Sequence, residues 1–212
     1  MICVSELRAN LEKNLEQKSM LGGLFKKKDI ETKDVREISD QLYACALLNT
    51  RESDFYKAYG VPDTFDGRFD LLLVHVFITL HILMGHKEYD LISQALFDSV
   101  FQDMDQTLRE MGIGDMGVPK HMKRMMKAFN GRMHSYQLAI DPDSMDGKEI
   151  EGLEKTTLKE SLRRNLYGTL TDDENLSDSV LSDMEKFIMM NIECRDPERV
   201  TGILDGHITF VN

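Results

Sequence analysis

The chain has 212 residues, 42% apolar and 30% charged, ordinary proportions for a soluble globular protein and enough for one full core, with or without a small appendage. A formal charge of −11 excludes a general nucleic-acid binder, whose duplex contacts need net basic surface. Cys3, Cys45 and Cys194 are scattered and without a CxxC, which excludes a disulfide framework or zinc site and points to free thiols in a reducing compartment.

Residues 1–31 read as a leader. Val4, Leu7, Leu11 and Leu15 make a narrow apolar stripe, a marginal helix at best. Leu24 and Phe25 then stand beside Lys26, Lys27 and Lys28, a pattern that for so short a stretch reads first as a flexible leader and second as peripheral contact with a membrane surface. Each lysine near an anionic leaflet would contribute about 1 kcal/mol. Glu6, Glu12, Glu16 and Asp29, with no apolar run, argue against a secretory signal or a transit peptide, so the expectation is a bacterial cytoplasmic chain or a form that has lost its presequence.

A helix from about 32 to 48 turns Val35, Ile38, Leu42 and Cys45 inward, and a short one over 52–59 offers Phe55 and Tyr59. Gly60–Asp63 is a turn. From Phe65 to Met84 the chain is almost continuously apolar, near the length of a membrane span, yet Asp66, Arg68, Asp70, His75 and His81 interrupt it. A helix apolar all round is also what the centre of a bundle needs, and that is the expectation here.

The next helix, 88–111, carries Phe97, Phe101, Met104, Leu108 and Met111 at steps of four and three, with Asp105 and Arg109 paired outside. Gly112 and Gly114 stop it, and Pro119 suits the first turn of its successor, 119–139. That helix is expected to turn Met122, Met125, Met126, Phe129 and Met133 inward and Lys120, Lys123, Arg124 and Lys127 outward. Gly131 within it marks either a bend or a close approach of another backbone.

Asp141–Ser144 caps a helix over about 145–167 with Ile150, Leu153, Leu158, Leu162 and Leu166 inward. Thr171 and Glu174 fit a capping box ahead of a helix presenting Leu176, Val180, Met184, Phe187 and Ile188. A last short turn follows Asp196-Pro197, and His207–Val211 is expected as a short β segment. The fold class is therefore all-α: one bundle of about seven helices around a buried central helix. It divides into a leader (1–31), a core (32–140) and a helical C-terminal extension (141–212) packed on the core.

No catalytic constellation stands up. His75, His81 and His86 are spaced six and five apart, so no pair has the i,i+4 separation that chelates a metal. His75 reads as a hydrogen-bonded core histidine, and His121 and His134 read as non-ligands. Gly112-Ile113-Gly114 lacks the strand and third glycine of a dinucleotide loop. The expectation is a protein that is not an enzyme, with no metal and no cofactor. The cations at 120–127, with no acid interleaved, make a local positive field that suits an acidic partner, lipid phosphates or ribosomal RNA.

Two blocks carry a resemblance. YGVPDTFDGRFDLLLVHVF (59–77) and DMDQTLREMGIGDMGVPKHMKRM (103–125), the latter followed by AFNGR and Tyr136, are similar to the ubiquinol–cytochrome c chaperone family, assembly factors of the cytochrome bc1 complex. The resemblance spans roughly 36–140, with a looser match through Gly206–Phe210. It implies a non-enzymatic chaperone whose partner is newly made cytochrome b or a segment of it, with a second assembly factor in some relatives. It also implies work at the inner face of the bacterial cytoplasmic membrane, or in mitochondria for eukaryotic relatives. Asp103, Asp105, Arg109, Asp115 and the stripe Lys120, Lys123, Arg124 and Lys127 are the candidate partner-binding residues. The alternative is a helical-bundle carrier or enzyme whose cavity holds a quinone, lipid or haem.

Overall fold

The computed structural model describes residues 32–142, 156–170 and 176–211. They form eight helices: α1 (Thr32–Thr50), α2 (Ser53–Lys57), α3 (Phe65–Leu83), α4 (Tyr89–Glu110), α5 (Val118–Ile140), α6 (Leu158–Asn165), α7 (Asp178–Glu193) and α8 (Pro197–Leu204). The expected leader helix, the Leu24–Lys28 segment, the 145–155 part of the sixth helix and the Thr171–Glu174 capping box lie outside the described residues.

α3 is the axle. Of its nineteen residues fifteen are buried, and it packs on α1, α4, α5, α7 and α8. An all-round apolar helix can be stable in water only when neighbours cover every face, and here they do. Thr64 starts it by accepting a hydrogen bond from Gly67 N at 3.1 Å. Gly67 cannot be replaced without rebuilding that entry, because a Cβ there would sit 2.1 Å from Pro62 O. No described helix is long and apolar enough to cross a membrane.

α4 and α5 form a helical hairpin. Gly112, at φ +83°, ends α4 with Ile113 N bonding Leu108 O at 3.1 Å and Gly112 N bonding Arg109 O at 2.9 Å. This paired closure satisfies the last carbonyls and needs a left-handed residue, hence glycine. α5 runs unbroken through Gly131, where an added Cβ would meet nothing within 4 Å, so no backbone approaches it. α6 opens with a capping box, Thr157 to Glu160, and α7 is capped by Ser177.

His207–Val211 is not a strand: no strand occurs among the described residues. Its alternation is real, with Ile208 and Phe210 buried and Thr209 and Val211 exposed, which is why it reads as β. Its backbone groups, however, pair with side chains. Asn191 Nδ2 donates to Val211 O at 2.8 Å, Val211 N donates to Asn191 Oδ1 at 2.9 Å, and Arg199 Nη2 donates to Thr209 O at 3.0 Å. The tail is a strap fastened to α7 and α8.

Candidate functional site: the α4–α5 hairpin and its groove

Four of the expected partner-binding residues are engaged inside the molecule. Tyr43 Oη on α1 donates to Asp103 Oδ2 at 2.6 Å, which fixes α4 against α1. Arg109 reaches Asp105 at 2.7 Å and Asp115 at 2.6 Å, tying the end of α4 to the hairpin turn. These ion pairs are solvent-exposed and position the turn more than they stabilise it.

The basic face is as expected in direction: Lys120, Lys123, Arg124 and Lys127 are all exposed. Arg124 stands 3.8 Å from Asp66 at the start of α3, a loose and exposed pair. The three lysines form no ion pair with any described residue, and α5 holds no acidic residue along its whole length. The cationic face is thus mostly uncompensated within a protein of formal charge −11.

The methionine face divides. Met125 is buried, Met122 and Met133 are partly buried, and Met126 is 39% exposed. Met126 was expected inward. One residue on from Met125, it is turned about 100° toward the lysine face and left partly in solvent.

A groove of about 440 Å³ opens between the C-terminal half of α3, the N-terminal half of α4 and the C-terminal half of α5. Its apolar lining is Phe77, Leu80, Met84, Phe97, Phe129 and Met133, and its polar groups are His81, Tyr89, Ser93, Gln94, Asn130 and Gln137. Phe97 and Phe129 meet edge to face at 5.2 Å across the hairpin. His81 Nδ1–H donates to Gln137 Oε1 at 3.0 Å, and burial holds its imidazole below the usual range, so the ring is neutral. No charged side chain lines the groove. Sequence reading missed it, because a groove depends on how far two helices splay. The one visible signal was Ser93, a small residue one turn before Phe97 on the groove side of α4.

Below the groove α5 is anchored by a buried pair, Arg132 to Asp70 at 2.8 Å, and by Ser135 Oγ donating to Ser161 Oγ of α6 at 2.9 Å. No group of three or more described His, Cys, Asp or Glu residues could hold a metal ion.

Compared with known proteins, residues 57–204 match the family described as ubiquinol-cytochrome C chaperone. The chain belongs to the ubiquinol–cytochrome c chaperone family. The match begins at the last residue of α2 and ends at the last residue of α8, so it takes in the axle, the hairpin and the C-terminal helices together. The crystal structure of the Cbp3 homolog from Brucella abortus is 28% identical, with a TM-score of 0.65 over 85% of this chain and 92% of that chain. No curated protein sequence matches this chaperone-family member. The family assigns a chaperone role connected with the bc1 complex, and the all-helical fold agrees with that of the Brucella protein. In this chaperone-family chain the groove and the uncompensated lysines share one hairpin, an apolar surface beside a charged rim.

Proposed function

We propose that this protein binds newly made cytochrome b, or a segment of it, and promotes its incorporation into the ubiquinol–cytochrome c reductase (bc1) complex, without catalysing a reaction. The observation that carries the reading is the uncharged, aromatic-lined groove on a hairpin whose outer face is basic, in a chain of this family. An unassembled membrane protein exposes apolar surface, and a concavity with a charged rim can cover it without itself becoming an aggregation site. The lysines at 120, 123 and 127 would meet acidic groups of the client or of a second assembly factor. The protein would act at the inner face of the cytoplasmic membrane.

The groove's size and aromatic lining also suit a small neutral ligand, which keeps a quinone, lipid or haem carrier as the second reading. One preparation separates the two. Tagged protein isolated from cells should bring down cytochrome b, show no Soret band and release no isoprenoid, and deletion of its gene should lower bc1 levels. Normal bc1 levels in the deletion strain, with no cytochrome b captured, would end the chaperone reading.

A further inference from the structure

The rims of the groove carry more information than its floor. On α4, Asp90, Gln94 and Asp98 stand at i, i+4 and i+8, one line along the helix. Gln94 lines the groove and donates to Asp98 at 2.9 Å, so the two aspartates continue the α4 lip. On α5, Lys123, Lys127 and Asn130 stand at i, i+4 and i+7, again one line, and Asn130 lines the groove. The α5 lip is therefore continued by lysines. All four charged side chains are exposed, and none forms an ion pair with a described residue. Asp90 and Asp98 border the uncharged trough on α4, while Lys127 and Lys123 continue the α5 lip beyond Phe129, so an acidic lip and a basic one stand offset along the hairpin, each left without a counter-charge.

Resting on the reading that the groove receives the client polypeptide, we propose that its occupant is an amphipathic α-helix. The helix lays an uncharged apolar face on Phe97, Phe129 and Met133, with acidic side chains along the flank toward α5 and basic ones along the flank toward α4. A membrane-spanning helix, apolar all round, would cover the trough but offer no partner to any of the four lip charges. A small neutral ligand would leave both lips unused. An added strand has no sheet edge to join among the described residues, whereas a helix set between two helices is an ordinary recognition mode. From Lys123 to Gln137 the lip and trough together span about 21 Å, so the proposed helix has about 14–16 residues.

The test uses the full chain and three labelled synthetic peptides sharing one apolar stripe. One carries Glu on one flank and Lys on the other, one carries Glu on both, and one carries Lys on both. By fluorescence anisotropy the mixed-flank peptide should bind roughly fivefold tighter than either like-charged one, and the margin should shrink in high salt. In the double variant Lys123→Glu/Lys127→Glu both lips are acidic, and the peptide with Lys on both flanks should become the tightest. Ser93→Trp, which fills the trough, should abolish binding of all three while circular dichroism and the urea midpoint confirm the fold; Met133→Trp is the second plug should the first not fold. Equal binding of the three peptides, no binding of any, an order unchanged by the lysine reversal, or binding that survives both plugs would each overturn the proposal. Cytochrome b capture by the wild-type chain is scored separately. If capture persists while the peptide order is absent, the client reading stands and this one falls; if capture fails, the client reading falls whatever the peptides do.

Discussion

Two titratable side chains buried in α3 pull the pH dependence of stability in opposite directions. His75 is fully enclosed by Phe55, Phe187 and Phe210, with ring centroids 4.7–5.7 Å away, and its Nδ1–H donates to Leu71 O at 2.9 Å. Burial pushes its imidazole from 6.5 down to about 4. Between those values the unfolded chain binds a proton that the folded chain refuses, so stability falls as pH falls, by about 3 kcal/mol across the window. Asp70 behaves in reverse. Burial pushes its carboxyl from 3.8 up to about 7, even with Arg132 pulling it down. Between those values the folded chain holds a proton that the unfolded chain has lost, so stability falls as pH rises. Urea unfolding at several pH values should therefore show His75→Phe gaining on the wild type as pH drops from about 7 to about 4, and Asp70→Asn losing ground over the same span. Parallel curves for the three proteins would refute the assignment. Gly131 gives a simpler residue-scale prediction. It lies mid-helix in open space, so Gly131→Ala should raise stability by about 1 kcal/mol, read as a higher urea midpoint at constant slope.

At the scale of elements, what could be read from sequence followed the helical period. The end of α4 at Gly112, the Pro start of α5 and the outward basic face all came from local rules and all stand in the structure. The C-terminal tail did not, because alternation of buried and exposed residues says only that a segment is extended and half-covered. It cannot say whether its backbone pairs with a strand or with side chains. Here Asn191, fully buried on α7, does a strand's work by bonding both N–H and C=O of Val211. It also accepts from Arg199 Nη2 at 2.7 Å, so strap, α7 and α8 share one junction. Asn191→Ala would strand both backbone groups of Val211 and remove one of the acceptors of Arg199, which keeps the carbonyls of Asn191 and Thr209, a loss of about 2–3 kcal/mol concentrated on the strap. Hydrogen exchange should show amides in 208–211 opening well before those of α3. Uniform protection loss across the molecule would mean that the junction belongs to the core rather than to the tail.

For the whole molecule, the axle was legible and the groove was not, for one physical reason. An all-round apolar helix broken by a few charges has a single stable place in water, the centre of a bundle, whatever its neighbours are. A groove is a remainder, left where three helices diverge, and no periodicity within one helix encodes it. The same topology fixes how the fold should fail. α3 touches α1, α4, α5, α7 and α8, so these helices share one central surface, and that surface is lost to all of them at once. Leu73, 0% exposed midway along α3, has no route by which a cavity could open to solvent. Leu73→Ala should therefore cost about 4 kcal/mol, toward the middle of the range for buried leucines, and the loss should be global. Far-UV circular dichroism and tyrosine fluorescence should report one coincident transition, shifted to lower denaturant with an unchanged slope. Two separated transitions, one for the hairpin and one for the C-terminal helices, would show that α3 joins two independent units instead of organising a single one.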